Sequence, residues 1–469
     1  MKILLILAIS LSLNILIALI YKENIFPFLF SAILSFALAT VFYFYTRNGD
    51  LIDVSKKNAF FSVTVSWFVI SIIGALPYIF SGYFPNIIDA VFESTSGFTT
   101  TGSSILTDIE ALPKSLLFWR SLTHWIGGIG IIVLVIIIMP SLKINNYNLF
   151  STESSLQEKI LPKVKSVGRR LFIIYILLTI IEIIFLILGK MPVFDAVCHS
   201  FATIATGGFS TKNTSIAGYS PYIQYIITLF MILAGTNFAL FYFSIKGKYN
   251  KIRKNEEFKY YIITIMIAGL IVFGDLFFNT NKGLELSFRE SYFQVVSIIT
   301  CTGFATSDYL IWPHAAWVII FLLMFIGGST GSTAGGIKIA RHLVAIKNIR
   351  KIFKTLAHPN TVSVLKLNGK TIDNATNLSI LSFIMLYFLS FVVGSLLLVV
   401  SGVEKSTAIS SIATAMGGIG PGLGEVGPVN NFAHLSDYAK LIISFFMLLG
   451  RLEIFPILIL FTPYFWKST

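Results

Sequence analysis

The chain has 469 residues, of which 55% are hydrophobic and 12% charged, and its formal net charge is +13. So little charge cannot cover that much apolar surface in water, which excludes an ordinary soluble globule. The basic excess would suggest nucleic acid in a soluble protein; here its placement along the chain argues for topology instead, and no nucleic-acid partner is expected.

Apolar stretches long enough to cross a bilayer recur at 3–20, 27–45, 60–80, 116–139, 171–188, 223–243, 260–278, 378–400 and 441–461. They define an all-α polytopic membrane protein. The first stretch lacks the small-residue cleavage site of a signal peptide and runs straight into the second. Residues 1–46 therefore read as a two-helix transmembrane hairpin. Lys and Arg crowd into alternate loops at 47–57, 143–170, 246–259 and 341–370, which hold 22 of the 35 basic residues. The positive-inside rule places these loops in the cytoplasm, and counting spans from them puts both termini there too. The lipid bilayer is thus the first partner expected.

Beyond residue 46 one awkward phrase is written four times. It reads DAVFESTSGFTTTG at 89–102, DAVCHSFATIATGG at 195–208, ESYFQVVSIITCTG at 290–303 and, more weakly, TAISSIATAMGGIG at 407–420. The openers Asp89, Asp195, Glu290 and Thr407 each stand thirteen residues before a glycine. Each is followed by a small residue, Ala90, Ala196, Ser291 or Ala408. An acid or Thr suits a helix start, where free N–H groups need acceptors. About nine apolar residues then make a helix too short to span, so it must enter and turn back. Non-helical backbone at membrane depth is tolerated where it is buried or lines a watery cavity. The phrase predicts helix, re-entrant pore helix, extended Gly/Thr segment and helix, four times around one central pore. The expected units are 47–145, 146–250, 251–360 and 361–469. Four loops offering backbone carbonyls can replace the hydration shell of a cation, and helix C-termini pointing at the axis favour positive charge. Packing through small residues is the competing explanation for one copy, and it fits four copies in register poorly.

Within the third unit, FIGGSTGSTAGGIK at 325–338 interrupts what should be one inner helix; five glycines with Ser and Thr cannot hold a regular helix well. It is not a phosphate loop, because Ile337 separates the last Gly from Lys338 and no strand precedes it. GLGEVG at 422–427 matches a dinucleotide fingerprint only by chance, with no βαβ context. Arg451 lies inside the last apolar stretch, which makes it a functional candidate by default, with a local pair to Glu453 as the bland alternative. Glu182 and Asp275 also lie within apolar stretches and are expected to snorkel toward an interface. The cysteines, Cys198 and Cys301, suggest neither a disulfide framework nor a metal site. No catalytic constellation is evident, so an enzyme is not expected, nor an organic cofactor.

The stretches SGFTTTGSS, HSFATIATGGFST, FQVVSIITCTGF, GPGLG, FIGGSTGSTAGGIK, HPNTVSVLKL and GRLEIF…LFTPYFW resemble the Trk/Ktr/HKT superfamily of potassium transporters, and most closely its bacterial TrkH type. The resemblance implies a potassium uptake protein of the bacterial inner membrane, with K+ as the transported ion bound at the filter. It implies a homodimer with a pore in each subunit and a cytosolic nucleotide-binding regulatory subunit of the TrkA type. It assigns the filter glycines to Gly102, Gly208, Gly303 and Gly420, preceded by the carbonyl donors Thr100 and Thr101, Thr206 and Gly207, Cys301 and Thr302, and Gly418 and Ile419. Ile419 stands where the other copies have Thr or Gly. Gly102 sits where Gly goes with potassium and Ser with sodium. The resemblance also implies an intramembrane gate that includes Gly327, Gly328, Ser329, Thr330, Gly331, Gly335, Gly336 and Lys338, with Arg451 as a positive charge below the filter. A secondary symporter working by alternating access is the alternative; it would call for inverted repeats, whereas these all enter from one side.

Overall fold

The structure is a computed structural model that describes residues 2–47, 56–141, 160–361 and 363–467. The expected basic loop at 143–170 lies mostly outside the described residues. An N-terminal hairpin of α1 (Lys2–Ile20) and α2 (Phe26–Thr46) precedes four units of one design. The first unit is α3 (Lys56–Gly74), α4 (Leu76–Ser81), the short α5 (Ile87–Phe98) and α6 (Lys114–Ser141). The second is α7 (Ile160–Leu188), the short α8 (Val193–Ile204), α9 (Pro221–Ala234) and α10 (Phe238–Ile245), followed by a connecting turn, α11 (Tyr249–Arg253). The third is α12 (Glu256–Asn279), the short α13 (Leu284–Ile299), α14 (His314–Leu323) and α15 (Ile339–Ala357). A two-residue hairpin, β1 (Lys366–Leu367) with β2 (Lys370–Thr371), leads into the fourth. That unit is α16 (Asn374–Val400), the short α17 (Lys405–Gly417), α18 (Asp437–Arg451) and α19 (Phe455–Leu458), with α20 (Pro463–Trp466) closing the chain.

Six helices among the described residues are individually long and apolar enough to cross a membrane. Their exposed sides carry Ile, Leu and Phe, such as Ile9, Phe36, Ile180 and Leu396, while buried faces hold Asn14, Ser31, Thr64 and Glu182. That inversion of the soluble pattern is what a lipid solvent selects.

The inner helices pack against the short helix of the next unit: α6 on α8, α9 on α13, and α18 back on α5, so the units run in a ring. Hydrophobic clusters then lie between neighbouring units; one joins α1, α5, α6 and α18 residues, Leu7, Phe92, Trp119 and Phe446 among them. The hairpin is fastened to this ring by Glu23 in the α1–α2 turn, whose carboxylate accepts the free N–H groups of Lys114 and Ser115 (2.7 and 2.9 Å) at the start of α6. That is helix capping supplied from a distant segment.

Two expectations are corrected here. The openers do not cap the short helices. Asn86 and Glu404 do so, accepting from the N–H of Asp89 and Thr407 (2.8 and 3.0 Å), while Glu290 lies inside α13, paired with Lys282. The short helices run 12, 12, 16 and 13 residues rather than nine. The stretches at 223–243 and 441–461 are also not single helices: they bend by 95° and 114° at breaks near Thr236 and Glu453.

Candidate functional site

Each short helix ends in the same way. At its C-terminus one residue takes a left-handed backbone: Thr100, Thr206, Cys301 and Gly418, with φ of 51, 53, 59 and 68°. The N–H of that residue reaches back three positions, to Gly97, Thr203, Ile298 and Ala415. The next N–H reaches back five: Thr101 to Ser96, Gly207 to Ala202, Thr302 to Ser297 and Ile419 to Thr414, at 2.8–3.0 Å. This pair of bonds is a Schellman cap. Only Gly418 occupies the left-handed position without a Cβ penalty; Thr100, Thr206 and Cys301 hold it at roughly 1–2 kcal/mol each. Strain kept three times at equivalent positions marks a functional segment. In the first and third units the flanking hydroxyls bond each other, Thr99 with Thr101 and Thr300 with Thr302, both at 2.8 Å.

One residue further on, Gly102, Gly208, Gly303 and Gly420 again have positive φ (84, 77, 79 and 100°). Alternation of sign along three residues swings successive carbonyls toward one side of the chain. The four glycines also close a ring. A Cβ on Gly102 would collide with the carbonyl of Gly207, one on Gly208 with that of Thr302, one on Gly303 with that of Ile419, and one on Gly420 with that of Thr101. Each wall therefore touches the next at backbone distance, and no side chain fits between them. Ile419 enters this cycle at the same place as Thr101, Gly207 and Thr302, which sets the register of the fourth copy despite its different residue. Outside the ring lies a cavity of about 160 Å³, bounded by Gly102, Ser103, Arg120, Gly208, Gly303, Gly420 and the outer loops. Lys212 at its edge is neutralised by Glu110 at 3.0 Å, whose bond also holds the ammonium above the usual lysine range.

Beneath the ring the units differ. In the third, residues 324–338 between α14 and α15 form an irregular loop laced to its neighbours. The Ser329 N–H donates to the Gly235 carbonyl (2.9 Å), and the Phe238 N–H donates to that of Gly331 (3.1 Å), both at the break between α9 and α10. The Thr333 hydroxyl donates to the carbonyls of Ile204 and Ala234 (2.9 and 3.3 Å). The Thr330 N–H donates to the buried Glu257 carboxylate. Arg451 is 6% exposed and donates through its two terminal nitrogens to the carbonyls of Thr333 and Gly127, each at 3.0 Å. Its guanidinium thus joins the loop to α6. Glu453 is instead bound to Arg341 (2.7 Å), with Lys338 at 3.9 Å, so the direct Arg451–Glu453 pair weighed from sequence is not the arrangement found.

Glu182 does not snorkel. It is fully buried on α7, and six residues of helix, roughly 9 Å, separate it from the helix end, beyond the reach of its short stem. Thr203 approaches its carboxyl without closing a hydrogen bond, having given its hydroxyl to the His199 carbonyl. Asp275 accepts the N–H of Ala316 (2.8 Å) and so caps α14. Two buried ion pairs escaped the sequence reading: Arg120 with Glu93 at 2.8 Å, and Lys440 with Asp89 at 2.6 Å. The signal was present, since Arg120 lies inside the apolar run 116–139 and intramembrane charges come in partners.

Four short helices in one chain, set among apolar helices long enough to span a membrane and ending in segments that close a ring of glycine-to-carbonyl contacts, define a pore-forming membrane cation transporter. The chain belongs to the TrkH family: the family model described as "Cation transport protein" matches residues 24–468. It is 36% identical over 464 residues to the Trk system potassium uptake protein TrkH of Salmonella typhimurium, covering 97% of this chain and 95% of that protein. It is 35% identical over 473 residues to the Trk system potassium uptake protein TrkI of Halomonas elongata, covering 99% and 95%. The crystal structure of the potassium transporter TrkH from Vibrio parahaemolyticus superposes with a TM-score of 0.89 at 33% identity, over 99% of this chain and 98% of that one.

Proposed function

We propose that the chain is a potassium uptake protein through which K+ permeates a filter built by four loops of one polypeptide. The observation that carries this reading is the closed cycle of glycine-to-carbonyl contacts from Gly102 through Gly208, Gly303 and Gly420. Oxygens of Thr100, Thr101, Thr206, Gly207, Cys301, Thr302, Gly418 and Ile419 replace the water of the ion, and the pore-helix dipoles favour its charge. The relatives that span nearly the whole chain are potassium uptake proteins by name. The filter binds K+ as cargo.

The loop around Gly327, Gly328, Ser329, Thr330, Gly331, Gly335, Gly336 and Lys338 is the gate. Its ties to α9, α10, α6 and α18 hold it across the path, and Arg451 adds a fixed positive charge there. Opening requires those bonds to exchange, which a cytosolic TrkA-type subunit acting on the basic loops would drive. The protein works as a homodimer in the bacterial inner membrane with both termini in the cytoplasm, each subunit conducting through its own ring. The four pore units divide at about residues 47, 146, 251 and 361.

The test is uptake in a potassium-starved bacterial strain that lacks its own uptake systems. Growth should be restored at low potassium, and potassium should enter in preference to sodium. Equal entry of both ions would remove the selectivity reading, and no growth despite correct membrane insertion would remove the transport reading.

A further inference from the structure

Nine residues before each ring glycine stands a pore-helix residue that differs in every unit: Glu93, His199, Gln294 and Ser411. In the first unit that residue belongs to a buried ion pair. Glu93 is 0% exposed and Arg120, on α6, is 1% exposed. The Glu93 carboxylate accepts from Arg120 Nε (2.8 Å), from the Ser104 hydroxyl (3.0 and 3.1 Å) and from the Ile105 N–H (3.0 Å). The guanidinium also donates through Nη1 to the Ser210 carbonyl and through Nη2 to the Ser104 hydroxyl, both at 3.2 Å.

Ser104 lies two residues beyond Gly102, and Ser210 two residues beyond Gly208. One guanidinium therefore bonds the outer ends of two adjacent walls of the ring, and its counter-ion sits on the helix beneath the first. The same group lies 4.1 Å from the centre of the Phe209 ring, and Phe209 stacks on His124 at 4.1 Å. His124 in turn closes on Gly207, where no Cβ would fit. The contacts thus run without a gap from a permanent charge to a carbonyl donor of the ring. The second unit has a weaker version, with His199 Nε2 bonded to the Ser210 hydroxyl at 3.0 Å. In the third, Gln294 is buried with neither amide atom bonded to a partner among the described residues.

We infer that the Arg120–Glu93 pair is a positioning device for ion selection, fixing the spacing of the Gly102 and Gly208 walls. A buried, multiply bonded charge pair is a poor source of net stability, because desolvation offsets its attraction. Its directional bonds instead hold geometry, since Arg presents its donors in a rigid fork. The pair touches no ion itself. The first and second walls depend on it directly, and the third and fourth do not.

This inference rests on the filter reading, and the experiment separates the two. The full-length protein is reconstituted in liposomes, and potassium and sodium uptake are measured separately for the parent, Arg120→Lys, Glu93→Gln, Ser104→Ala and Gly102→Ser. Thermal unfolding in detergent is followed in parallel. Arg120→Lys keeps a charge beside Glu93 and loses the fork, so the potassium-to-sodium ratio should fall about tenfold while the protein stays folded, the scale of one hydrogen bond to a charged group. Ser104→Ala should lower the ratio by a smaller factor at nearly unchanged stability. If the two charge variants do not fold, Ser104→Ala decides, and an unchanged ratio there overturns the proposal. An unchanged ratio in folded Arg120→Lys overturns it as well. A ratio altered by Gly102→Ser alone refutes the positioning device and leaves the filter, whereas a ratio altered by none of the variants refutes both.

Discussion

The outer and inner halves of the pore are built on opposite principles. In the outer half four segments with different residues adopt one backbone: the same pair of capping bonds, the same left-handed residue, the same glycine against the next wall. In the inner half the four following helices do not share one course. The first continues unbroken as α6, the second bends at Gly235–Asn237, the third opens into the loop, and the fourth bends at Glu453. Under the proposed function the contrast has a reason: a spherical ion wants the same ligand distance on every side, whereas a gate wants one element able to move against fixed ones, which needs the units to differ.

The largest effect that would test this contrast comes from the ring. Gly303→Ala puts a Cβ into the Ile419 carbonyl at a φ of 79°, so potassium uptake should fall to background in flux assays. Retained uptake would show that the walls are not in working contact. Gly102→Ser meets the Gly207 carbonyl in the same way, so its uptake should also fall, and the uptake that remains should show a lower potassium-to-sodium ratio.

Removing part of 327–336 should act in the reverse direction, raising flux several-fold with the ratio kept, because in the proposed function the loop obstructs and does not choose. Reduced flux in a folded variant would make the loop a scaffold. Arg451→Ala should also raise flux, by a smaller factor. The two carbonyls it holds are left to find other donors, and a repulsion on the order of 1–4 kcal/mol is removed, for unit charges about 4 Å apart at an effective dielectric between that of water and ~20. Arg451→Lys should fall between, since one ammonium cannot serve Thr333 and Gly127 as the fork does. Adding Glu453→Gln should not rescue any loss of stability in Arg451→Ala, because Glu453 is engaged with Arg341. Rescue would restore the direct pair.

The smallest effect probes the capping strain. Cys301→Gly should raise stability by about 1 kcal/mol by relieving the left-handed residue, and Gly418→Ala should lower it by a similar amount. Equal and opposite shifts in thermal unfolding would show that the four caps are equivalent; a large loss in Cys301→Gly would mean that the thiol packs as a needed core group.

The outer half was legible because its constraint is written in spacing. Thirteen residues from Asp89, Asp195, Glu290 and Thr407 lead to the four glycines, and that count survives when the residues between them change. The left-handed positions were hidden, since Thr100, Thr206 and Cys301 are residue types that avoid that conformation and are held in it by the cap. The opener was misread for a related reason: Asp89 and Thr407 stand in the first turn, where acids and Thr are also favoured, so composition does not separate that place from the cap. The inner half was legible only where glycine is dense, at 325–338. A bend at Gly235, Thr236 and Asn237 leaves a weak trace, because single small residues are ordinary in membrane helices and break only when a neighbouring segment takes up the freed carbonyl, as Ser329 does.

The bond from Glu23 to the start of α6 carries a consequence for how the chain is assembled. Glu23 is synthesised about ninety residues before Lys114 and Ser115. Domains and hairpins organise in the order they emerge, so the hairpin is in place before its partner arrives. A transmembrane helix has some freedom to tilt and shift along the membrane normal, each at a modest cost. The waiting carboxylate removes that freedom by fixing the depth of one end. Because Arg120 and Gly127 ride on the same helix, that depth gauge sets the height of the outer clamp and the inner tie together.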